Sequence, residues 1–278
     1  MSVVLAALDT TATSRAVLGT ATRFGQLTGA DVEAVYVHEG PQEPGESPEP
    51  LAASAAIPFH LLEGPVEPTL QAAIDRHQVI TAVIGARATS GGHRPVGHTA
   101  LHVLEHTQKP VLVVPPAVSA EPGPFRRLLV PLEGTEASSR AVVERLRPLV
   151  VTEVDLAILH VFTDDTRPAM LDRPQRDLEI LGTEFLVRHY PRPVPIELCG
   201  GSTVTRMIEA SRDHDADLIV LSWAQDSSPG RARIVWEALE TSVVPVLLLP
   251  PTSSASDDSL VGSSLLDEPV LQGLEVDR

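Results

Sequence analysis

Two stretches of the chain decide its fold: "VVLAALDTTATSRAV" over residues 3 to 17 and "LLVPLEGTEASSRAV" over residues 128 to 142. Each runs from an apolar segment through an acidic residue and small hydroxylic residues into "SRAV". The likeness continues downstream in the same order. "DVEAVYV" at Asp31 parallels "DLAILHV" at Asp155, and "PVLVVPP" at Pro110 parallels "PVLLLPP" at Pro245. Conserved order and spacing over a period well above a hundred residues mark an internal duplication.

Within each half, apolar runs of about four to six residues alternate with amphipathic stretches. Short, continuously apolar runs suit strands covered on both faces, and their alternation with helices implies a parallel sheet. The first half should carry strands near residues 3–8, 32–37, 59–62, 82–85 and 111–114. The second should carry them near 128–132, 156–161, 196–199, 218–221 and 246–249. Helices fit over 13–28, 68–77, 136–149 and 203–214, with Thr13 or Ser202 as N-caps. The Pro- and Glu-rich "HEGPQEPGESPEP" from His38 should be an exposed loop, and a more helical counterpart is expected over 173–189. "AVSAEPGPF" from Ala117 reads as a linker. The expected division is a first domain over 1–118, a second over 124–251, and an acidic, Ser-rich tail over 252–278 whose composition favours disorder.

Composition narrows the function classes. At 278 residues and 43% hydrophobic content the chain can build two cores. A net charge of −16, with Lys109 as the single lysine, argues against nucleic acid and anionic membrane surfaces as partners. Cys199 is the only cysteine, so no internal disulfide can form. "MSVVLAALD" meets an aspartate with no basic flank, and a cytoplasmic protein without a signal peptide is expected. No apolar run approaches the roughly 20 residues of a membrane span. Abundant Arg, Ala, Gly and Pro point to a GC-rich bacterial genome.

The ordered elements resemble the universal stress protein family. The residues that carry the likeness are Asp9-Thr10-Thr11 and Glu133-Gly134-Thr135, "EGPVEPTLQAAID" from Glu63, "VIGAR" from Val83 and "GHTALHVLEHTQKPVLVV" from Gly97. Their second-half partners are "DLIVLSW" and "ARIVWEALETSVVPVLLL". The resemblance implies an α/β architecture of two tandem Rossmann-like domains, each a five-stranded parallel sheet with helices on both faces, packed as an intramolecular pseudo-dimer that can dimerise again. It also implies a non-catalytic, ATP-responsive role in stress adaptation, with magnesium as an accompanying ion.

ATP-binding members carry glycine, two residues, glycine, nine residues, glycine, then serine or threonine. Backbone amides of such a loop and of a helix start converge on phosphate oxygens. Here Gly85 fits the first position and Ala88 takes the second. Gly97 precedes the helix one residue early, His98 stands where serine is expected, and Thr99 follows with a hydroxyl. A methyl at a positive-φ position costs roughly 1 kcal/mol, which Gly91 and Gly92 can offset. Losing a hydroxyl to a charged phosphate costs about 1.5–3 kcal/mol. Arg87 and Arg94 are read either as phosphate contacts or as solvated loop residues. By the same resemblance Asp9 and the main chain of Val37 contact nucleotide, and Asp9 reads equally well as a turn residue. The expected nucleotide set is therefore Asp9, Val37, Gly85, Arg87, Gly97, His98 and Thr99.

In the second half Ser222, Gln225 and Ala232-Arg233 replace the glycines and serine, so ATP binding is expected in the first half only, and Trp236 is expected to pack at the core or between the halves. His98, His102 and His106 share one helix face at intervals of four, with no acidic or thiol ligand at a matching offset, so no metal site is expected. His38, His60 and His160 show no partner. Ser138, Ser139 and the "TTATS" hydroxyls lack a nucleophile elbow and a His/Asp pair, so no enzymatic activity is expected. The alternative is a module of the same fold that binds no nucleotide and serves dimerisation and partner interaction.

Overall fold

The computed structural model describes residues 1–40, 47–86, 96–118, 123–132, 142, 145–146, 154–162, 196–225 and 232–250. The second-half start 133–141, the expected helix over 173–189 and the tail over 252–278 lie outside them. So do Ala88, Gly91, Gly92 and the two loop arginines, Arg87 and Arg94.

Ten strands form one sheet. They are β1 (Val3–Ala7), β2 (Asp31–His38), β3 (Phe59–Glu63), β4 (Val79–Gly85), β5 (Val111–Val114), β6 (Arg127–Pro131), β7 (Asp155–Phe162), β8 (Ile196–Gly200), β9 (Leu218–Ser222) and β10 (Val246–Leu249). Their spatial order is β3-β2-β1-β4-β5-β10-β9-β6-β7-β8, so the second half repeats the first in mirror sequence. Strands pair in parallel within each half. The halves meet where β5 and β10 pair antiparallel, with Val246 opposite Val113 and Leu248 opposite Val111. The α/β class and the five parallel strands per half are as the sequence predicts.

The apolar runs behave as doubly covered strands do. Val3 and Leu5 point into one core with Val246 and Leu248, while Val4 and Ala6 point into the other with Leu247 and Leu249. Alternate residues face opposite sides, so a strand buried on both sides needs every position apolar. Each core layer runs across both halves.

Among the described residues the helices with both ends described are α1 (Thr13–Thr28), α2 (Glu49–Ser54), α3 (Val66–Asp75), α4 (His98–His106), α5 (Thr203–Asp213) and α6 (Arg233–Thr241). α1 matches its expected limits, although its N-cap is Ala12 and not Thr13. Ser202 does take the N-cap position of α5, without a side-chain bond to the helix. α3 starts two residues ahead of the expected Pro68. The cause is long-range: the Glu39 carboxylate folds back and its Oε1 accepts the Val66 amide at 2.7 Å, supplying an acidic cap from another loop. The Pro/Glu-rich segment is not loop to its end, because α2 begins at Glu49 with a proline in its first turn, where the missing amide costs nothing. At the two ends of the expected linker, Val118 and Phe125 are buried in the core.

Candidate functional site

In an open α/β sheet, strand order reverses where one strand leads to helices on opposite faces, and a crevice opens there beyond the strands' carboxyl ends. In the first half this point lies between β1 and β4. A cavity of 360 Å³ occupies it, walled by Ala7 to Asp9 at the end of β1, Tyr36 and Val37 on β2, and Ile84 to Ala86 at the end of β4. Gly97, His98 and Thr99 close it from the start of α4, and Val66 and Leu70 from α3. Of the seven residues expected to bind nucleotide, six thus line one cavity: Asp9, Val37, Gly85, Gly97, His98 and Thr99. Arg87 lies outside the described residues.

Asp9 is already engaged. Its Oδ1 accepts the Thr11 amide at 2.9 Å and the Thr11 hydroxyl at 2.6 Å, and lies 2.8 Å from the Ser14 hydroxyl. Ser14 Oγ in turn accepts the Asp9 amide at 2.8 Å. Asp9 is therefore a turn residue that starts α1, and the same carboxylate borders the cavity. Buried Ser14 is spent in this knot, which gives the "TTATS" hydroxyls a structural use.

Gly97 opens α4 in an extended conformation, φ −71° and ψ 163°, and its amide donates to the Ala86 carbonyl at 2.7 Å. That amide is not offered to a ligand. The first-turn amides beyond it, on His98 and Thr99, face no intrahelical acceptor, as at any helix start. The side chains of the same two residues meet Glu67 of α3. His98 Nδ1 lies 2.9 Å from Glu67 Oε1, and the Thr99 hydroxyl donates to the same oxygen at 3.4 Å. The bond from His98 holds the Glu67 carboxyl below its ordinary value of 4.5, so it is ionised at neutral pH. Sequence reasoning missed Glu67, which does not line the cavity itself but holds the side chains of two residues that do. It lies 31 residues from His98 in sequence, and only the packing of α3 beside α4 brings the two together.

The remaining histidines sort themselves. The rings of His102 and His106 stack with centroids 4.2 Å apart, and among the described residues no group of three or more His, Cys, Asp or Glu is placed to hold a metal. His60, without a visible partner in the sequence, sits 3.2 Å from the Glu33 carboxylate that also accepts Arg76 at 2.7 Å. His160 Nδ1 lies 2.9 Å from the Leu132 carbonyl. Burial pushes the Cys199 thiol up, away from thiolate chemistry.

The corresponding positions of the second half have another use. Trp223 is buried, and its indole Nε1 donates to the Leu104 carbonyl of α4 at 2.9 Å. Gln225, where the motif has its second glycine, adopts φ 56° and donates its amide to the Thr107 carbonyl. Trp236 packs against Trp223 with centroids 5.2 Å apart and lies against the core, one of the two places expected for it. The positions aligned with the phosphate loop thus cap the last carbonyls of α4 across the seam, groups that a helix leaves unbonded.

No protein-family model matches the chain, and no curated protein matches it in sequence. Solved structures do. A universal stress protein from Archaeoglobus fulgidus is similar at 17% identity, covering 90% of this chain and 96% of its own, with a TM-score of 0.62. A putative universal stress protein from Pseudomonas aeruginosa is similar at 11% identity over 90% of this chain and 94% of its own, with a TM-score of 0.67. A protein of unknown function from Pseudomonas aeruginosa is similar at 10% identity over 90% and 93%, with a TM-score of 0.62. The fold is therefore that of a Rossmann-like α/β protein. More particularly, it is the full-length fold of these universal stress proteins, with the element order found twice. Among the described residues no helix is long and apolar enough to cross a membrane.

Proposed function

We propose that the chain is a tandem universal stress protein whose first half, residues 1–118, binds an adenine nucleotide, ATP being the family's ligand, without turning it over. The second, 124–251, is a structural copy. Occupancy of the first half would bias a dimer interface or a partner surface. One observation carries the reading: Asp9, Val37, Gly85, Gly97, His98 and Thr99, scattered over 91 positions, line a single 360 Å³ cavity at the switch point of the sheet. Its wall is mostly apolar, which suits a base, and the main chain of Val37 lies within reach of one. The α4 start offers amides toward the far end, where phosphates or magnesium-bound phosphates would extend.

The test is calorimetry of the full chain with millimolar adenosine, AMP and ATP with magnesium. Heat of binding with at least one is expected, and a Gly97→Asp variant should weaken whatever binding AMP and ATP show, because a carboxylate would then border the cavity beside the helix start. Absence of heat with all three sinks the reading. It would leave the second one, a partner-binding and dimerisation module that takes no nucleotide. The observation favouring that second reading is that Glu67 already holds both side-chain donors of the α4 start.

A further inference from the structure

We propose that Glu67, which stands just outside the cavity and holds the side chains of His98 and Thr99 at its α4 end, makes the site select an uncharged nucleoside over its phosphorylated forms. This rests on the reading that the cavity takes an adenosine-containing ligand, and it names which one.

The start of α4 is where an anion gains most. Unbonded amides and the helix dipole both favour negative charge there. In this protein the anion comes with the chain. Glu67 Oε1 takes His98 Nδ1 at 2.9 Å and the Thr99 hydroxyl at 3.4 Å, the two side-chain donors expected to receive phosphate oxygens. A phosphate reaching them must break both bonds and come to rest within a few ångströms of a carboxylate. The contact is reached from α3, whose first turn is anchored by the bond from the Val66 amide to Glu39, so the carboxylate is presented by a fixed element and not by a floppy loop.

Among the described lining residues only His98 offsets this charge, and it is already bonded to Glu67. The wall includes the carboxylate of Asp9 and has no lysine or arginine among its described residues, and His98 is its one basic side chain. Glu39 adds a third carboxylate next to Val66. By contrast the base-and-ribose end needs only what the cavity already offers: the apolar side chains of Val17, Val35 and Ile84, and the Asp9 carboxylate as an acceptor for sugar hydroxyls. Like charges a few ångströms apart at a partly exposed site cost on the order of tenfold in affinity or more.

The experiment is a calorimetric titration of adenosine, AMP and ATP with magnesium into the full-length wild type, Glu67→Gln and Glu67→Ala. Glu67 lies outside the cavity lining with its side chain about a quarter exposed, so both variants should fold, and adenosine binding itself reports that they have. Wild type should bind adenosine at least about tenfold more tightly than ATP. Glu67→Ala should shift the ratio of ATP to adenosine affinity by about tenfold or more toward ATP, with Glu67→Gln in between and adenosine affinity held within about twofold. Equal or tighter ATP binding by wild type, or an unchanged ratio in Glu67→Ala, overturns the role of Glu67 while leaving the nucleotide reading standing. No binding of any ligand to any of the three proteins overturns both.

Discussion

The indole nitrogen of Trp223, in the second half, donates to the main-chain carbonyl of Leu104, in the first, at 2.9 Å. Both groups are buried, so the bond has no water to replace it. Trp223→Phe keeps most of the apolar volume and removes the donor, leaving the Leu104 carbonyl only the long bond from the Gln225 amide at 3.5 Å, and it should cost about 1–2 kcal/mol. Trp223→Ala adds a cavity beside Trp236 and should cost about 3–5 kcal/mol. Urea unfolding measures both, and two variants within about 0.5 kcal/mol of wild type would remove the indole from the seam.

Gly25 lies inside α1, where alanine would ordinarily gain about 1 kcal/mol in helix propensity. A Cβ there would meet Val32 Cγ2 at 2.7 Å and the Ala30 carbonyl oxygen at 2.9 Å. The second of these is backbone and cannot swing aside. Gly25→Ala should therefore destabilise, by about 1–3 kcal/mol, against its propensity. A rise in melting temperature would refute the close approach.

Asp9 should matter to folding through its acceptor oxygen more than through its charge. Asp9→Ala strands the Thr11 amide and takes the carboxylate from the Thr11 hydroxyl, while the Ser14 hydroxyl keeps the main-chain carbonyl of residue 9 at 2.8 Å, and should cost about 1–2 kcal/mol. Asp9→Asn keeps an acceptor at the same position and should cost under about 1 kcal/mol. Denaturant midpoints for the pair give the comparison, and equal losses would contradict it.

Glu67 has its acidity raised by the bond from His98, so its folded-state pKa lies below the ordinary 4.5. For a depressed carboxyl the stabilisation is present in full above the unfolded value and is lost as pH falls through the folded one. Stability should thus decline from about pH 4.5 downward for this pair, and carbon-detected NMR should place the Glu67 midpoint below 4.5 in wild type and closer to it in His98→Ala. An unchanged midpoint in that variant would mean the bond carries no charge.

Much of this architecture can be read from the residues, for a physical reason. Strands buried on both faces must be apolar at every position, so "VVLAA" and "VLLL" announce themselves without knowledge of their neighbours. Duplication gives each element a second reading, and proline before each last strand marks the start of β5 and of β10. What stayed hidden depends on contacts distant in sequence. The two-residue error at α3 traces to Glu39, 27 positions upstream of the amide it caps. The Glu67 contact with His98 is of the same kind, and no local pattern distinguishes that glutamate from a solvated one. The N-cap at Thr13 failed differently: a hydroxyl in the right place lost to an alternative network in which Asp9, Thr11 and Ser14 satisfy one another. Gln225 was legible as a substitution but not as a cap on α4, because its acceptor belongs to the other half.

The pairing of β5 with β10 closes two sheet edges against each other inside one polypeptide. Two separate chains joined in that way would fall apart on dilution, and their unfolding would follow the law of mass action. Here the tether fixes the local concentration of one edge about the other, whatever the amount of protein in solution. The seam between the halves is therefore indifferent to expression level, and a protein present at a few copies per cell keeps the same ten-stranded sheet as one present at thousands.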